Sequence, residues 1–205
     1  MLRIIKLLKK IPIDFNQYEM REKTQGKIIG FRLIPHAHGS KTALDLGCRD
    51  GYWSEKLSKL GYTVTSIDIE SNYPKAQIID ANKVLPFEDN SFDLIWSSEV
   101  LEHLDDPAFS ISEMKRVLKS DGQIVMTTPN SNFWFFRLFK LFGVPVEDTQ
   151  HESHRSFFSI QDIQRLLPNG RIFGFFPYIL VKFTLMNKHL IDLLSPVFVI
   201  QASKL

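Results

Sequence analysis

The stretch ALDLGCRDG, residues 43–51, constrains the fold more than any other part of the chain. An apolar run ends at Asp45, a turn with Gly47 and Gly51 follows, and apolar residues then recur at helical spacing. Glycines in a strand-to-helix turn let a ligand approach the backbone closely, and the helix N-terminus that follows favours negative charge. The stretch therefore predicts a strand, a ligand-binding turn and a helix, in that order.

Short apolar strands alternate with helices along the rest of the chain. The pattern predicts strands in residues 42–47, 62–70, 76–81, 92–100 and 123–129, with late strands in 172–181 and 196–203. Helices are predicted in residues 51–61, 107–119, 132–143 and 160–167. Because alternating strands and helices form parallel sheets with right-handed crossovers, the expected fold class is α/β with a doubly wound, mostly parallel sheet.

Polar residues end the first four predicted strands, at 45–51, 68–70, 80–82 and 97–99. The carboxyl ends of parallel strands meet at one edge of a sheet, so these residues should form one binding rim. The turn lacks the G-x-G-x-x-G of dinucleotide sites, because Arg49 stands where a middle glycine would, and no G-K-[ST] phosphate loop is present. The carboxylate of Asp45 adds negative charge near the ligand and therefore suits a ligand that bears an amine.

Two further acids narrow the choice of ligand. Asp68 ends the second strand, where a carboxylate can accept hydrogen bonds from both hydroxyls of a ribose. Asp80 ends the third strand and could accept a hydrogen bond from the exocyclic amine of a purine. A ligand with an amino-acid end, a ribose and an adenine satisfies all three carboxylates, and S-adenosylmethionine is such a ligand.

Four stretches resemble, in order and spacing, the motifs of the class I S-adenosylmethionine-dependent methyltransferases, and most closely the small-molecule branch that includes quinone-biosynthesis enzymes. They are ALDLGCRDG, SIDIE, IIDANKVLPFEDNSFDLIWSSEVLEHLDDP and EMKRVLKSDGQIVMTTPN, all within residues 41–130. The resemblance implies a methyltransferase with a Rossmann-like, seven-stranded sheet whose last strand is antiparallel. The family usually has glycine where Arg49 stands, and a positive φ there would cost about 1 kcal/mol and put the affinity for the cofactor in doubt.

The resemblance also implies which residues hold the cofactor, S-adenosylmethionine. They are Asp45, Gly47, Cys48 and Gly51 for the methionine end, Asp68 and Ile69 for the ribose, Asp80 and Ala81 for the adenine, and Ser98 and Glu99 beside the sulfonium and the substrate mouth.

Methyl transfer from a sulfonium depends mainly on alignment of the reacting atoms, so no protein nucleophile is required. A general base matters only where the acceptor is a hydroxyl that must lose its proton. His103 is the best candidate base, although a packed structural histidine is an equal alternative for it. His151 and His154 are second candidates, and these three histidines and Trp134 are the candidate substrate contacts. No metal site is expected, because no further ligand cluster accompanies the two loop histidines.

The length of 205 residues predicts one domain, divided into an N-terminal helical segment (1–40) and a methyltransferase domain (41–205) with a substrate-covering insertion at about 131–158. The single cysteine excludes an internal disulfide and suits a cytoplasmic location. No apolar run approaches the length of a membrane span. The net charge of +2 carries no argument about nucleic acid, and because no basic patch interleaves with aromatics, a nucleic-acid partner is not expected.

The methyl acceptor is expected to be a small molecule or a lipid-linked one. The Phe- and Trp-rich residues 132–142 either pack on the sheet or cover a hydrophobic acceptor. Residues 1–12 are basic and amphipathic, so they form either a helix packed on the domain or a peripheral membrane contact. Two other functions remain open: a methyltransferase-like domain that binds without catalysis, given Arg49, and, with less support, an NAD-type oxidoreductase.

Overall fold

An eight-stranded mixed sheet organises the part of the chain that the computed structural model describes, which is residues 24–143, 145, 150, 153–176 and 183–204. The strands are β1 Thr42–Leu46, β2 Thr63–Asp68, β3 Ala76–Ile78, β4 Phe92–Ser98, β5 Leu118–Pro129, β6 Arg171–Phe175, β7 Thr184–Leu185 and β8 Val197–Ser203. The helices are α1 Gln25–Arg32, α2 Tyr52–Lys59, α3 Pro107–Val117, α4 Trp134–Leu141, α5 Ile160–Leu166 and α6 Lys188–Leu194, with a 3₁₀ turn at Leu101–His103.

The strand order is β3-β2-β1-β4-β5-β8-β6-β7. The first five strands in this order pair in parallel, and β8 pairs antiparallel with both β5 and β6. This arrangement confirms the predicted α/β, doubly wound fold with an antiparallel closing strand. The sequence predicted seven strands, whereas the structure has an eighth, the two-residue β7, which pairs antiparallel with β6. Two residues are too few to produce a periodic pattern.

Helix boundaries follow from local capping chemistry. Asp106 accepts a hydrogen bond from Phe109 N at 3.0 Å, and Pro107 occupies the first turn of α3. Ser159 and Asp162 form a reciprocal capping box at the start of α5. Both helix starts confirm the sequence prediction.

Both faces of the sheet are buried, because alternate residues along each strand point to opposite sides. In β1, Leu44 and Leu46 pack into the larger core on the side of α3 and α5, while Ala43 packs with Leu57 of α2 on the other side. This double burial explains why the strands read as nearly continuous apolar runs. Because β1 to β5 pair in parallel, their carboxyl ends lie at the same edge of the sheet.

The helix α1 belongs to the same packed body as the sheet. Its Ile29 lies in a cluster with Phe173 of β6 and with Val197 and Val199 of β8. The basic amphipathic segment predicted at residues 1–12 lies outside the described residues. Among the described helices, none has the length and apolar character needed to cross a bilayer.

Candidate functional site

The glycine turn after β1 packs too closely for side chains at its two glycines. Gly47 has φ of 84° and its N–H donates to Ile67 O at 2.9 Å. A Cβ on Gly47 would lie 2.2 Å from Val100 Cγ2, and one on Gly51 would lie 2.4 Å from the Tyr73 ring. Gly51, with φ of 79°, also begins α2. The turn therefore needs both glycines for its own packing.

Arg49 adopts the left-handed conformation, with φ of 52°. For a side chain other than glycine this conformation costs roughly 1–2 kcal/mol. Two side chains hold the strained peptide in place: Asp68 Oδ2 accepts from Arg49 N at 2.7 Å, and Ser71 Oγ donates to Arg49 O. The departure from glycine is thus tolerated by hydrogen bonds that come from the end of β2.

Asp68 and Ile69 lie where the sequence placed them, at the carboxyl end of β2. The two carboxylate oxygens of Asp68 accept one backbone hydrogen bond each, from Arg49 N at 2.7 Å and from Glu70 N at 3.2 Å. An ionised carboxylate offers about four acceptor positions, so about two are left for ligand hydroxyls. Ile69 is 66% exposed beside it and provides an apolar surface for a flat ring or a ribose.

Asp80 and Ala81 follow β3 in a turn of their own. Asp80 Oδ1 accepts from Asn82 N at 2.9 Å and from Asn82 Nδ2 at 3.0 Å, and the bond from the backbone N–H lowers the pKa of Asp80. Ala81 O accepts from Ser110 Oγ at 3.1 Å, which ties the turn to α3. Asp80 therefore stays ionised at the rim, with Oδ1 committed to its own turn and Oδ2 lying 3.6 Å from Lys83 Nζ.

Asp45 lies beneath the turn and is 1% exposed. Burial raises the pKa of Asp45 to about 7, against the opposing effect of a 2.5 Å hydrogen bond from Ser54 Oγ. Ser66 Oγ in turn donates to Ser54 Oγ at 2.8 Å, so a buried polar chain joins β1, α2 and β2. The described contact of Asp45 is with the protein, and its predicted role toward the methionine end stays a prediction.

Cys48 is buried, and burial raises the pKa of its thiol to about 11. A thiol with this pKa stays protonated at neutral pH and is a poor nucleophile. Cys48 therefore contributes packing and backbone geometry to the turn, and its N–H donates to Ile67 O at 3.0 Å.

Ser98 and Glu99 form a hydrogen-bonded chain with β5 at the end of β4. Ser98 Oγ lies 2.8 Å from Thr127 Oγ1, which donates to Glu99 Oε1 at 2.9 Å. Glu99 has φ of 57°, so it is strained in the same way as Arg49. Burial raises the pKa of Glu99. Strained residues gather at functional sites, and both of these lie on the same rim.

The 3₁₀ turn brings Glu102 and His103 next to that chain. Glu102 is 1% exposed, and its Oε2 accepts from Thr128 Oγ1 at 3.0 Å. Burial and the nearby Glu99 carboxylate raise the pKa of Glu102 well above its usual range. His103 is partly exposed and its Nδ1 lies 3.0 Å from Ser153 O, a carbonyl that can only accept. His103 therefore faces the rim and a neighbouring loop, as a substrate-mouth residue would.

His154 joins this group, although the sequence separates it from His103 by a long insertion. The two imidazole rings meet edge to face with centroids 4.9 Å apart. Backbone hydrogen bonds fix the loop, because Arg155 N and Ser156 N donate to Glu102 O at 2.8 and 3.1 Å. His151 lies outside the described residues.

Trp134 begins α4 within an aromatic stack with Phe133 and Phe135, each ring centroid 5.8 Å away. Among the described residues, its indole Nε1 is buried and has no hydrogen-bond partner. This part of α4 combines packing with an unpaired polar atom, and its predicted contact with a substrate stays a prediction.

Lys27 of α1 is a site residue that sequence reasoning missed. Burial lowers the pKa of its amine, while the negative charges of Glu99 and Glu102 oppose that change. The same amine lowers the pKa of Asp45 and interacts with Arg49, so its charge acts on both the glycine turn and the 3₁₀ turn. No sequence signal marked it, because it comes from a helix that precedes every recognised motif.

Comparison with known proteins finds similarity over the part of the chain that builds most of this rim. Residues 44–126 match the family model described as a methyltransferase domain. A probable S-adenosylmethionine-dependent methyltransferase of Mycobacterium tuberculosis is 29% identical over 127 residues, covering 58% of this chain and 45% of that protein. A ubiquinone biosynthesis O-methyltransferase of Coxiella burnetii is 33% identical over 106 residues, covering 45% of each. The chain thus spans about half the length of the curated relatives that it matches.

Solved structures share the fold. An S-adenosylmethionine-dependent methyltransferase from Archaeoglobus fulgidus superposes with a TM-score of 0.63 at 18% identity, covering 93% of this chain and 99% of that one. A possible histamine N-methyltransferase from Thermotoga maritima gives a TM-score of 0.64 at 13% identity, covering 99% of this chain and 97% of that one. At these identities the likeness establishes the architecture alone.

Proposed function

We propose that this chain, whose residues 44–126 form a class I S-adenosylmethionine-dependent methyltransferase domain, binds S-adenosylmethionine and transfers its methyl group to a small-molecule or lipid-linked acceptor. One observation carries the proposal: the Asp68 carboxylate at the end of β2 is bonded directly to the glycine turn after β1. Such an arrangement places a ribose acceptor beside a glycine turn at the carboxyl end of the sheet.

The residues of the rim fit the parts of the cofactor. The Asp68 carboxylate would accept from the ribose hydroxyls, with exposed Ile69 against the apolar face. The Asp80 carboxylate would accept from the adenine amine. The Lys27 amine interacts electrostatically with Arg49 and Asp50 of the turn, and its positive charge would favour a carboxylate at the methionine end. When bound, S-adenosylmethionine supplies an activated methyl group on a sulfonium.

The protein's own contribution to the transfer is alignment. The rim would hold the acceptor atom in line with the methyl carbon and the sulfur, and would exclude water from the sulfonium. Ser98, Glu99 and His103, at the ends of β4 and of the 3₁₀ turn, would border this position. His103 is the best candidate to take a proton from a hydroxyl acceptor, and its Nδ1–H contact with Ser153 O fixes the ring.

Transfer is tested directly with methyl-labelled S-adenosylmethionine. The full chain is incubated with labelled cofactor and cell extract, and products are separated by mass spectrometry. We expect label in one acceptor class, with much less formed by Asp68→Ala at the same, sub-saturating concentration of cofactor. Folded, cofactor-binding protein that labels nothing across extracts and an acceptor panel would favour the alternative, a domain that binds the cofactor without catalysis.

A lipid-linked acceptor is supported by an exposed apolar surface on α4 and α6. Leu141, Phe142 and Leu190 are 82%, 68% and 45% exposed, and the two helices are joined by an Arg137–Asp192 ion pair of 2.6 Å. Exposed apolar area of this kind is typical of contact sites rather than of inert surface. It lies on α4, the helix predicted to cover a hydrophobic acceptor.

Membrane contact is tested by co-sedimentation with anionic vesicles at low salt. Each Lys or Arg near an anionic surface contributes about 1 kcal/mol, so we expect weak, salt-dependent binding. A chain that starts at Ile13 and a Leu141→Glu variant should each bind less, whereas Val84→Glu, at a 67% exposed residue just after β3, should not change binding. If the full chain does not sediment, a freely diffusing acceptor replaces the lipid-linked one.

A further inference from the structure

We propose that Glu102, His103 and His154 form a binding site for a divalent transition-metal cation at the acceptor end of the rim. One ligand atom from each residue lies within 4.8 Å of the other two, and Glu102 Oε1 is 3.9 Å from His103 Nε2. Two atoms that bind one cation at 2.0–2.2 Å lie about 3–4.4 Å apart. A small shortening of the distances between the three ligand atoms would therefore bring all of them within bonding distance of one cation. The proposal departs from the sequence expectation of no metal site, which rested on His154 having no ligand neighbours.

Each imidazole is held by a hydrogen bond at its Nδ1, and in His103 the other nitrogen, Nε2, is the one that faces Glu102. His103 Nδ1 donates to Ser153 O at 3.0 Å, and His154 Nδ1 lies 3.0 Å from Gln150 Oε1. These bonds set the tautomer in which Nε2 carries the lone pair. Histidines that bind metals are oriented in this way by a carbonyl or amide oxygen behind the ring.

Glu102 supplies the negative ligand and is not satisfied by the described protein. Its Oε2 accepts from Thr128 Oγ1, but among the described residues its Oε1 is buried without a hydrogen-bond partner. This orphaned atom is the one that faces His103. A buried carboxylate oxygen left without a partner destabilises the fold, and a bound cation would satisfy it.

The donor set selects the class of cation. Two imidazole nitrogens and one carboxylate oxygen suit zinc and related first-row ions, whereas magnesium and calcium prefer sites built from oxygen. Sites with three protein ligands keep a coordination position open for water or substrate. The chain therefore provides a site of the open kind.

The cluster adjoins the cofactor turn, which gives a bound cation a role. Val100 lies between Glu99 and the 3₁₀ turn and packs against Gly47. A Cβ added to Gly47 would be only 2.2 Å from Val100 Cγ2. This role, unlike cation binding itself, rests on the proposed function. An acceptor hydroxyl on the open position would release its proton to water more easily, so with a cation bound His103 would act as a ligand and not as the base. Its oxygen would then bond to the methyl carbon as the carbon–sulfur bond breaks, giving a methyl ether and S-adenosylhomocysteine.

The test is metal binding by the full chain, measured by calorimetry with Zn²⁺, Mn²⁺ and Mg²⁺ after chelator treatment and dialysis. We expect one Zn²⁺ per chain, with Mg²⁺ much weaker. His154→Asn and Glu102→Gln should each weaken Zn²⁺ binding at least about 100-fold, since each removes a ligand. His38→Asn, at an exposed histidine before β1, is the matched control and should change binding less than about twofold. Circular dichroism checks the fold, and His154→Asn suffices if Glu102→Gln unfolds.

The proposal is overturned if wild-type protein binds no stoichiometric Zn²⁺, or if His154→Asn binds it as tightly as wild type. S-adenosylhomocysteine is titrated into the same samples. Its binding without Zn²⁺ binding defeats the metal site and leaves the methyltransferase assignment intact. Zn²⁺ binding without S-adenosylhomocysteine binding has the opposite meaning: the metal site stands, and the proposed function and the cation's role in it fail.

Discussion

The rim divides into two halves that are built differently. The cofactor half, residues 45–51, 68–71 and 80–82, consists of strand ends and the turns that directly follow them. The acceptor half, residues 98–103 and 153–156, joins the end of β4 to a loop that follows three further elements, α3, β5 and α4, so His103 Nδ1 meets Ser153 O across fifty positions. The comparison teaches that cofactor binding is a property of local motifs, whereas acceptor chemistry depends on tertiary assembly.

The largest expected effect is a loss of stability in Gly47→Ala, because Gly47 of the cofactor half packs against Val100 of the acceptor half. In Gly47→Ala the left-handed backbone costs roughly 1–2 kcal/mol and the overlap with Val100 about 1–3 kcal/mol, so we expect a loss of about 2–5 kcal/mol in the free energy of unfolding. Urea denaturation measures this loss. Adding Val100→Ala should recover the overlap part but not the backbone part. Equal stability of Gly47→Ala and wild type would show that the halves are not packed as described.

A second effect is the pH dependence of stability contributed by buried Asp45. Its pKa is about 7 when folded and 3.8 in the reference state, so the folded state retains a proton that the unfolded chain releases between these values. Stability therefore falls as pH rises through this window, by about 2–3 kcal/mol between pH 5 and 7, and is level above it. Asp45→Asn should remove this part of the pH dependence of the free energy of unfolding.

Urea denaturation of both proteins from pH 5 to pH 8 gives the comparison. Adding Glu102→Gln to Asp45→Asn should reduce the remaining pH dependence of stability further, because the pKa of Glu102 is also raised by burial. An identical pH profile for wild type and Asp45→Asn would place the pH response wholly outside the cofactor half.

The smallest effect concerns the strain at Arg49. Arg49→Gly should stabilise the chain by about 0.5–1 kcal/mol, because glycine adopts φ of 52° without steric cost and part of the gain is lost to unfolded-state entropy. Arg49→Ala is the matched control, since it removes the side chain but keeps the strain. If alanine stabilises as much as glycine, the side chain rather than the backbone is responsible.

The sequence predicted most of the fold and nearly all of the cofactor half. The α/β class, the capped starts of α3 and α5, and the positions of Asp68 and Asp80 follow from patterns that span a few residues. The acceptor half could not be assembled in this way. Glu102 and His103 were visible in EVLEHL, but only the loop that donates Arg155 N to Glu102 O brings His154 beside them. Lys27 was missed for the same reason, since α1 reaches the rim through tertiary packing.

The account's central claim is that the cofactor half holds S-adenosylmethionine, and the most direct test is calorimetric titration with S-adenosylhomocysteine and, separately, NAD. We expect wild-type protein to bind the first and not the second. Asp68→Ala, which loses charge-assisted hydrogen bonds of about 1.5–3 kcal/mol each, should bind at least about tenfold more weakly. The nearby exposed Glu70→Gln should bind within about twofold of wild type. Unchanged affinity in a folded Asp68→Ala, or binding of NAD in place of S-adenosylhomocysteine, would contradict the claim.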